Sequence, residues 1–403
     1  MFYKLDESCV QFPLLGIEIL GNPLTGDLFG LTENGAKLAS ILANGSEIDK
    51  EKLSSDEAVL LEELMKRGLV NQKVVGRQLR AAYLHVTSRC NMRCSGCYSQ
   101  SNHTVSEQDY LGFSEIALIA DKLKAANVST VVISGGEPFL REDIIQIINY
   151  LKKTAMINRV TCITNGLATP ELYFEAGKSL DCLSFSLDGF CFEHSTLRKG
   201  SFDRIIALIP KLKQAGVNVS VIFTLHKQNY KCIPQMRELA SSLNIGYNFS
   251  IFTVPHSNET EYLELNSEDI DYIITHGILH NTIISDSPLD GTLGCKTCCG
   301  AGKTLISIMS DGSIMPCHMF FEKQFSLGNA LTDDISHLLS KSNRPFFDLD
   351  RKEKCRSCEY KYICGGGCLF RSYVSTGKLE GTDPLCSLYS TGIKQTLLSL
   401  TQQ

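Results

Sequence analysis

With 403 residues, and about 150 residues to a domain, the chain has room for two or three domains, each with its own core. A composition of 43% hydrophobic and 21% charged residues excludes a largely disordered chain, and 39 Lys and Arg against 44 Asp and Glu, a net charge of −5, argues against a general nucleic-acid binder. No apolar run reaches the roughly 18–20 residues of a membrane span, and the N-terminus MFYKLDESC lacks a signal-peptide pattern, so a cytoplasmic protein without membrane association is expected.

Residues 1–78 open with short alternating runs, FYKL, GIEIL and DLFGL, punctuated by Asn-Pro and Thr-Gly turn signals. Two helices follow, one capped by Thr32 and one from Ser55 to Leu69. This order predicts a small winged-helix-like α+β module. Residues 1–80 hold nine basic and twelve acidic residues, a balance that repels phosphates, so peptide or protein docking is expected in preference to DNA binding, with an inert cap as the alternative.

From Ala82 to Pro255 the pattern becomes strand, loop, helix, repeated. The expected strands are 83–87, 131–134, 160–164, 183–187, 219–225 and 247–252, with amphipathic helical stretches between them. Six such units predict an α/β fold, a partial (β/α)6 TIM-like barrel with its chemistry at the C-terminal ends of the strands. Residues 256–290 are polar and read as a bridge, and in 291–403 the periodicity weakens while Cys and Gly crowd together, which predicts a domain held by metal clusters.

Seventeen cysteines in a reducing compartment suggest metal, not disulfides. Cys9, Cys162, Cys182, Cys191 and Cys232 are scattered and read as small buried hydrophobes. The other twelve are grouped. Cys90, Cys94 and Cys97 lie on the loop after the first barrel strand, where three thiolates can converge on one soft metal centre. No fourth Cys is close in sequence, so a cubane held there would keep one iron open to an external ligand. The alternative is a zinc knuckle completed by His85 or His103.

The segment CNMRCSGCY resembles the cluster loop of the radical S-adenosylmethionine (SAM) enzymes, and the likeness continues along the β/α segment. It implies a [4Fe–4S] cluster on Cys90, Cys94 and Cys97, with SAM on the open iron as the source of a hydrogen-abstracting 5′-deoxyadenosyl radical. Gly135, Gly136, Glu137 and Pro138 correspond to the motif that binds the SAM amino group, and Tyr98 to the aromatic position against adenine. Asn165, within Thr164-Asn165-Gly166, ends the third strand; Ser186 and Asp188, within Ser186-Leu187-Asp188-Gly189, end the fourth and are expected near the ribose. Arg198 is expected on the SAM carboxylate, a task suited to a guanidinium fork.

The run Cys355-x2-Cys358-x5-Cys364-x3-Cys368, followed by Cys386, resembles the SPASM extension of the same family, as do Cys299, the Asp311-Gly312 turn and Cys317 upstream. The resemblance implies two auxiliary [4Fe–4S] clusters: a distal one on Cys355, Cys358, Cys364 and Cys386, and a nearer one on Cys299, Cys317 and Cys368. Cys295 is the favoured fourth ligand of the nearer cluster, with Cys298 or a substrate thiolate as alternatives; paired zinc ribbons are the bland reading of the whole set. His318, where sulfatase-maturing relatives carry Asp, is either a proton acceptor or a hydrogen-bonding neighbour of a cluster, and His85 reads as a core histidine.

The function expected is modification of a ribosomally made precursor peptide, by a thioether or other crosslink, epimerisation or oxidation, with the leader docked on the N-terminal module and a flavodoxin or ferredoxin as electron donor. Radical SAM chemistry on a small-molecule cofactor precursor is the alternative. A redox-sensing regulator with a winged-helix reader is the non-enzymatic possibility.

Overall fold

The structure is a computed structural model that describes residues 1–72, 74, 79–99, 111–253, 260–278, 293–340 and 349–401. His103 and much of the expected bridge lie outside the described residues.

The N-terminal module contains β1 (Phe2–Tyr3), β2 (Val10–Leu14), β3 (Ile17–Asn22), β4 (Asp27–Leu31), α1 (Glu33–Asn44), β5 (Ser46–Glu47) and α2 (Ser55–Lys66). β2, β3 and β4 form an antiparallel sheet in that order, and β1 pairs with β5. Thr32 caps α1 by accepting from Gly35 N at 3.1 Å, and α2 opens with a capping box made by Ser54 and Glu57. Leu38, Leu42, Leu61, Leu64 and Leu69 close a core of their own over Tyr3. β2, which the sequence reading did not assign, contains Pro13; it is an edge strand paired only with β3, where a missing N–H is tolerated.

Six parallel strands follow in consecutive order: β6 (Ala81–His85), β7 (Thr130–Ser134), β8 (Arg159–Thr164), β9 (Cys182–Ser186), β10 (Val219–Leu225) and β11 (Gly246–Ile251). Each expected strand is present to within two residues. β-branched and aromatic runs buried on both faces explain why, and β9 is buried along its whole length. The intervening helices are α3 (Phe113–Ala125), α4 (Ile144–Asn149), α5 (Pro170–Gly177), α6 (Cys191–Leu197), α7 (Phe202–Gln214) and α8 (Ile233–Ser242). α4 runs on into a wider π turn at Tyr150–Thr154. The α/β fold with a mostly parallel sheet is therefore as expected.

The sheet does not stop at residue 255. After α9 (Ser267–Thr275), β12 (Leu305–Ile308) pairs in parallel with β6, and β13 (Ser313–Met315) and β14 (Gly328–Asn329) extend that side as an antiparallel hairpin and edge. Four short or medium helices, α10 (Ile335–Ser340), α11 (Glu353–Arg356), α12 (Lys361–Cys364) and α13 (Leu369–Thr376), lead to the terminal α14 (Cys386–Thr401). Where the polar bridge is described it forms the acidic helix α9, which buries Ile270 and Ile273 in the same core as Leu388 and Tyr389 of α14. Among the described residues no helix is long and apolar enough to cross a membrane.

Candidate active site and cluster sites

The loop after β6 carries Cys90, Cys94 and Cys97 to one wall of an open cavity at the C-terminal ends of the strands, about 1310 Å³ with its solvent mouth included. Cys97 N donates to Cys94 O at 3.3 Å and Ser95 N to Leu197 O at 3.1 Å, so the loop is folded on itself and fastened to the end of α6. Burial pushes the Cys90 thiol up to about 11, and Cys94 is also raised by burial although Arg198 works against it. The three cysteines lie close enough to feel one another's charge, and the burial that resists ionisation of Cys90 and Cys94 is what an iron–sulfur cluster relieves by replacing their protons. The donor set fits the cluster. Neither His85 nor a carboxylate completes it as a zinc site, and among the described residues no compact His/Cys/Asp/Glu group suited to a single ion is present.

Gly135 and Gly136 follow β7 and lie backbone to backbone on this loop. Gly136 N donates to Thr87 O at 2.7 Å and Glu137 N to Arg89 O at 2.8 Å. A Cβ on Gly135 would stand 2.2 Å from Thr87 O, and one on Gly136 2.0 Å from Arg89 O. Only glycine permits that approach.

Glu137 lines the cavity, but its carboxylate is occupied: Oε1 accepts from Phe139 N (3.2 Å) and Thr164 Oγ1 (2.9 Å), and Oε2 from Asn165 N (2.8 Å). Burial raises it to about 7. It ties the end of β8 to the glycine loop. Pro138 starts the short helical turn that follows and is not on the cavity wall. Asn165 is on the wall; its Nδ2 donates to Asn91 Oδ1 at 2.8 Å and lies 3.9 Å from Cys90 Sγ.

Ser186 lines the cavity at the end of β9. Asp188 does not, and the expectation that it faces the ribose is corrected. Its side chain is fully buried, with Oδ2 accepting from Arg198 Nε at 2.7 Å and Oδ1 from Thr224 N at 2.9 Å. The second nitrogen fork of Arg198 reaches the other way, Nη1 standing 3.6 Å from Cys94 Sγ. Asp188 therefore aims Arg198, and Arg198 spans the cavity wall and the cysteine loop.

Tyr98 is also on the wall, its hydroxyl 3.4 Å from Ser134 Oγ. Its ring meets His318 edge-on at 5.7 Å, and His318 stacks on Tyr83 at 4.2 Å. Burial pulls His318 down to about 4, and its Nδ1 has no hydrogen-bond partner among the described residues. His85 is a core residue packed edge-on to Phe321, lowered to about 3 by burial and then by His318. His318 and Met319 thus put the chain immediately after Cys317 on the wall of the cavity. Sequence reasoning missed Asn248 and Ser250 of β11 and Thr224 of β10, which floor the site. The signal was available: alternate polar residues within an apolar strand mark an inward polar face.

The C-terminal cysteines separate into two groups. Cys355, Cys358, Cys364 and Cys386 lie within reach of one another's charge, as do Cys299, Cys317 and Cys368. Burial pushes Cys364 and Cys368 up to about 12, so these too are soft donors that a cluster would convert to thiolates.

Cys295 does not join the second group. It is fully buried in an apolar cluster with Phe12 and Leu14 of β2, Ile363 of α12 and Ile393 of α14. Its thiol fills the space against Gly21 of β3, where a Cβ would stand 2.7 Å from Sγ. Cys295 is a packing residue of the junction between the N-terminal module and the C-terminal domain, which corrects its assignment as fourth ligand. Cys298, partly buried, is beside Cys299 in both sequence and electrostatic environment.

Comparison with known proteins agrees with this geometry. Residues 84–240 match the Radical SAM superfamily, and residues 298–359 match SPASM, an iron–sulfur cluster-binding domain. Mycofactocin maturase MftC of Mycobacterium tuberculosis is 28% identical over 326 residues, covering 75% of this chain and 81% of the relative. AdoMet-dependent heme synthase of Methanosarcina barkeri is 27% identical over 345 residues, 77% of this chain and 96% of the relative. Among solved structures, SuiB of Streptococcus suis bound to S-adenosylmethionine has a TM-score of 0.61 at 18% identity, covering 94% of this chain and 98% of SuiB. That coverage exceeds what residues 79–403 could supply, so the shared fold includes N-terminal residues. The same enzyme has been solved with its precursor peptide SuiA.

Proposed function

We propose that this chain, which belongs to the radical SAM superfamily and carries a SPASM iron–sulfur domain, modifies a ribosomally made precursor peptide, with a thioether crosslink as the bond formed. Iron–sulfur cluster and SAM, bound at the Cys90–Cys97 loop, supply the hydrogen-abstracting radical chemistry. The protein's own residues do the rest. The glycine loop holds the cysteine loop in place, Asp188 aims Arg198 at the cavity, and Tyr98 offers an aromatic face. Asn248, Ser250 and Thr224 give the floor polar groups with which to orient a substrate. His318, kept neutral by burial, stands on the cavity wall next in sequence to Cys317, and its Nδ1, without a partner among the described residues, is open to a hydrogen bond with a substrate.

In this reading Cys355, Cys358, Cys364 and Cys386 hold a distal auxiliary cluster. Cys299, Cys317 and Cys368 hold the nearer one, with Cys298 or a substrate thiolate completing it. A flavodoxin or ferredoxin supplies the reducing electron.

The observation that carries the peptide reading is the N-terminal module. It has its own core, lies outside the barrel, and is clamped to the cluster domain through Cys295, Phe12 and Leu14. A peptide substrate can use such a module as a second foothold beside the barrel. Related maturases, and SuiB with its bound SuiA, support the same class of substrate. The test is anaerobic co-expression with a short Cys-rich peptide encoded beside the gene. A loss of two hydrogens per event, with iodoacetamide-resistant sulfur, is the expected result; unchanged peptide mass and chirality would overturn it. Chemistry on a small cofactor precursor is the second reading, favoured by the 27% identity to a heme synthase; turnover of a porphyrin without any peptide would establish it.

A further inference from the structure

Lys352 is a buried cation that the proposed chemistry does not use. It stands just before α11 and is 5% exposed, a state long cationic side chains seldom adopt unless paired. Its carbonyl accepts from Cys355 N at 2.9 Å and Arg356 N at 3.1 Å, which folds the first distal cysteine back over it. Its Nζ donates to Gly366 O at 3.0 Å and Ser372 Oγ at 3.3 Å. Both acceptors are neutral, and among the described residues Lys352 has no carboxylate partner at ion-pair distance.

Room for the side chain is built into the turn between Cys364 and Cys368. Gly366 has φ +83°, and a Cβ there would stand 2.9 Å from Leu349 Cδ2 and 3.3 Å from Lys352 Cδ. The lysine stem therefore lies directly against the cysteine-bearing turn. Its charge acts on the Cys355 and Cys386 thiols, drawing both down against burial; Lys354 helps at Cys386 and Asp383 opposes. At the nearer group the buried cation is already neutralised: Arg371 beside Cys368 is paired with Asp383 at 3.4 Å and bonded to Tyr389 Oη at 2.7 Å, while Lys303 and Lys296 act on Cys298.

A desolvated ammonium without a counter-ion is strongly disfavoured, and a cubane on four thiolates carries net negative charge that deepens by one when the cluster takes up an electron. Each supplies what the other lacks. We propose that Lys352 is the counter-charge of the distal auxiliary cluster and raises that cluster's reduction potential. The effect is electrostatic and buried, so salt screens it little. No proton or further reactant is involved: the couple takes up one electron and the lysine stays as it is. This inference rests on the distal ligand set proposed above.

The experiment is an EPR-monitored redox titration of the full-length, anaerobically reconstituted protein, with Cys90, Cys94 and Cys97 all changed to Ala so that only auxiliary clusters contribute. Lys352→Gln keeps donors for Gly366 O and Ser372 Oγ but removes the charge; Lys352→Arg keeps the charge. In Lys352→Gln one of the two Nernstian components should lose at least tenfold in its reduced-to-oxidised ratio at fixed potential, a fall of about 59 mV for a one-electron couple. The other component, and both components of Lys352→Arg, should stay in place. An unshifted Lys352→Gln, an equal shift in the two variants, or loss of iron from both would overturn the proposal, the last because it assigns Lys352 to folding alone. Failure of the ligand set itself reads out separately: Cys386→Ala would then leave the iron content of the otherwise wild-type protein unchanged.

Discussion

Arg198 has one anchor and one target, and the anchor is the more vulnerable. Its Nε is fixed by Asp188, a fully buried carboxylate whose other oxygen holds the backbone of β10 through Thr224 N. Replacing Asp188 by Asn leaves the guanidinium without its counter-charge inside the wall, and breaking a buried pair by removing one partner typically costs about 3–5 kcal/mol. Chemical denaturation of Asp188→Asn should show a loss of that order, and the cavity should take up SAM more weakly by equilibrium dialysis. Glu137 gives a pH dependence of unusual sign. Burial raises its carboxyl to about 7, above the ordinary value of about 4.3, so the folded chain binds this proton more tightly than the unfolded one. The group's contribution is therefore most favourable at low pH and is lost as pH rises between those two values, by about 4 kcal/mol over the interval. Denaturant titrations at pH 5 and pH 7.5 should show wild type falling relative to Glu137→Gln by an amount of that order. A wild type-to-variant difference equal at the two pH values would contradict the assignment.

At the scale of elements, the site depends on two loops meeting through bare backbone. The glycine loop after β7 touches the cysteine loop after β6 at Thr87 O and Arg89 O, where no side chain fits. Gly136→Ala should spread the loops and remove iron from Cys90, Cys94 and Cys97 while leaving iron bound by the C-terminal cysteines in place. Iron analysis against a Gly30→Ala control, where the backbone is extended and a Cβ meets only Ile17 Cγ2 at 3.9 Å, separates a local effect from a general one.

The barrel strands were readable because parallel strands buried on both faces are short apolar runs, and the cysteine groups because thiols at fixed spacing have few other uses. Other elements were not. Pro13 hid β2, which is tolerated only because it is an edge. α9 looked polar because its two buried isoleucines are flanked by acidic residues on the exposed side. Cys295 was misread for a different reason: adjacency to Cys298 and Cys299 in sequence says nothing of which way a thiol points, and the decisive neighbour, Gly21, is far away in sequence. Asp188 was assigned to the right strand end but to the wrong side of the wall, because an acid beside a cavity and an acid behind it look alike in one dimension.

For the molecule as a whole, the consequence lies at the junction that Cys295 fills. β12 extends the barrel sheet beyond β6, so the C-terminal domain and barrel share one sheet, while the N-terminal module adds no strand to it and is held by side-chain packing and by hydrogen bonds such as Cys295 N to Gly26 O at 3.1 Å. Phe12 and Tyr362 meet at 4.9 Å, Leu15 N donates to Glu359 Oε2 at 3.2 Å, and Gly21 receives the Cys295 thiol. A β-branched side chain at Gly21 cannot fit against that sulfur without displacing the module. If the module is the foothold for a leader, its displacement removes the tethering that raises the local concentration of the reacting segment, an advantage that reaches roughly 100-fold or more for linked sites. Gly21→Val should then raise KM for the full precursor by roughly that factor, with kcat for saturating precursor and the slow, uncoupled cleavage of SAM unchanged. A small-molecule substrate, which enters at the strand ends without touching the module, predicts instead no change in KM, and a variant that loses SAM cleavage as well would show that the module supports the clusters and not the substrate.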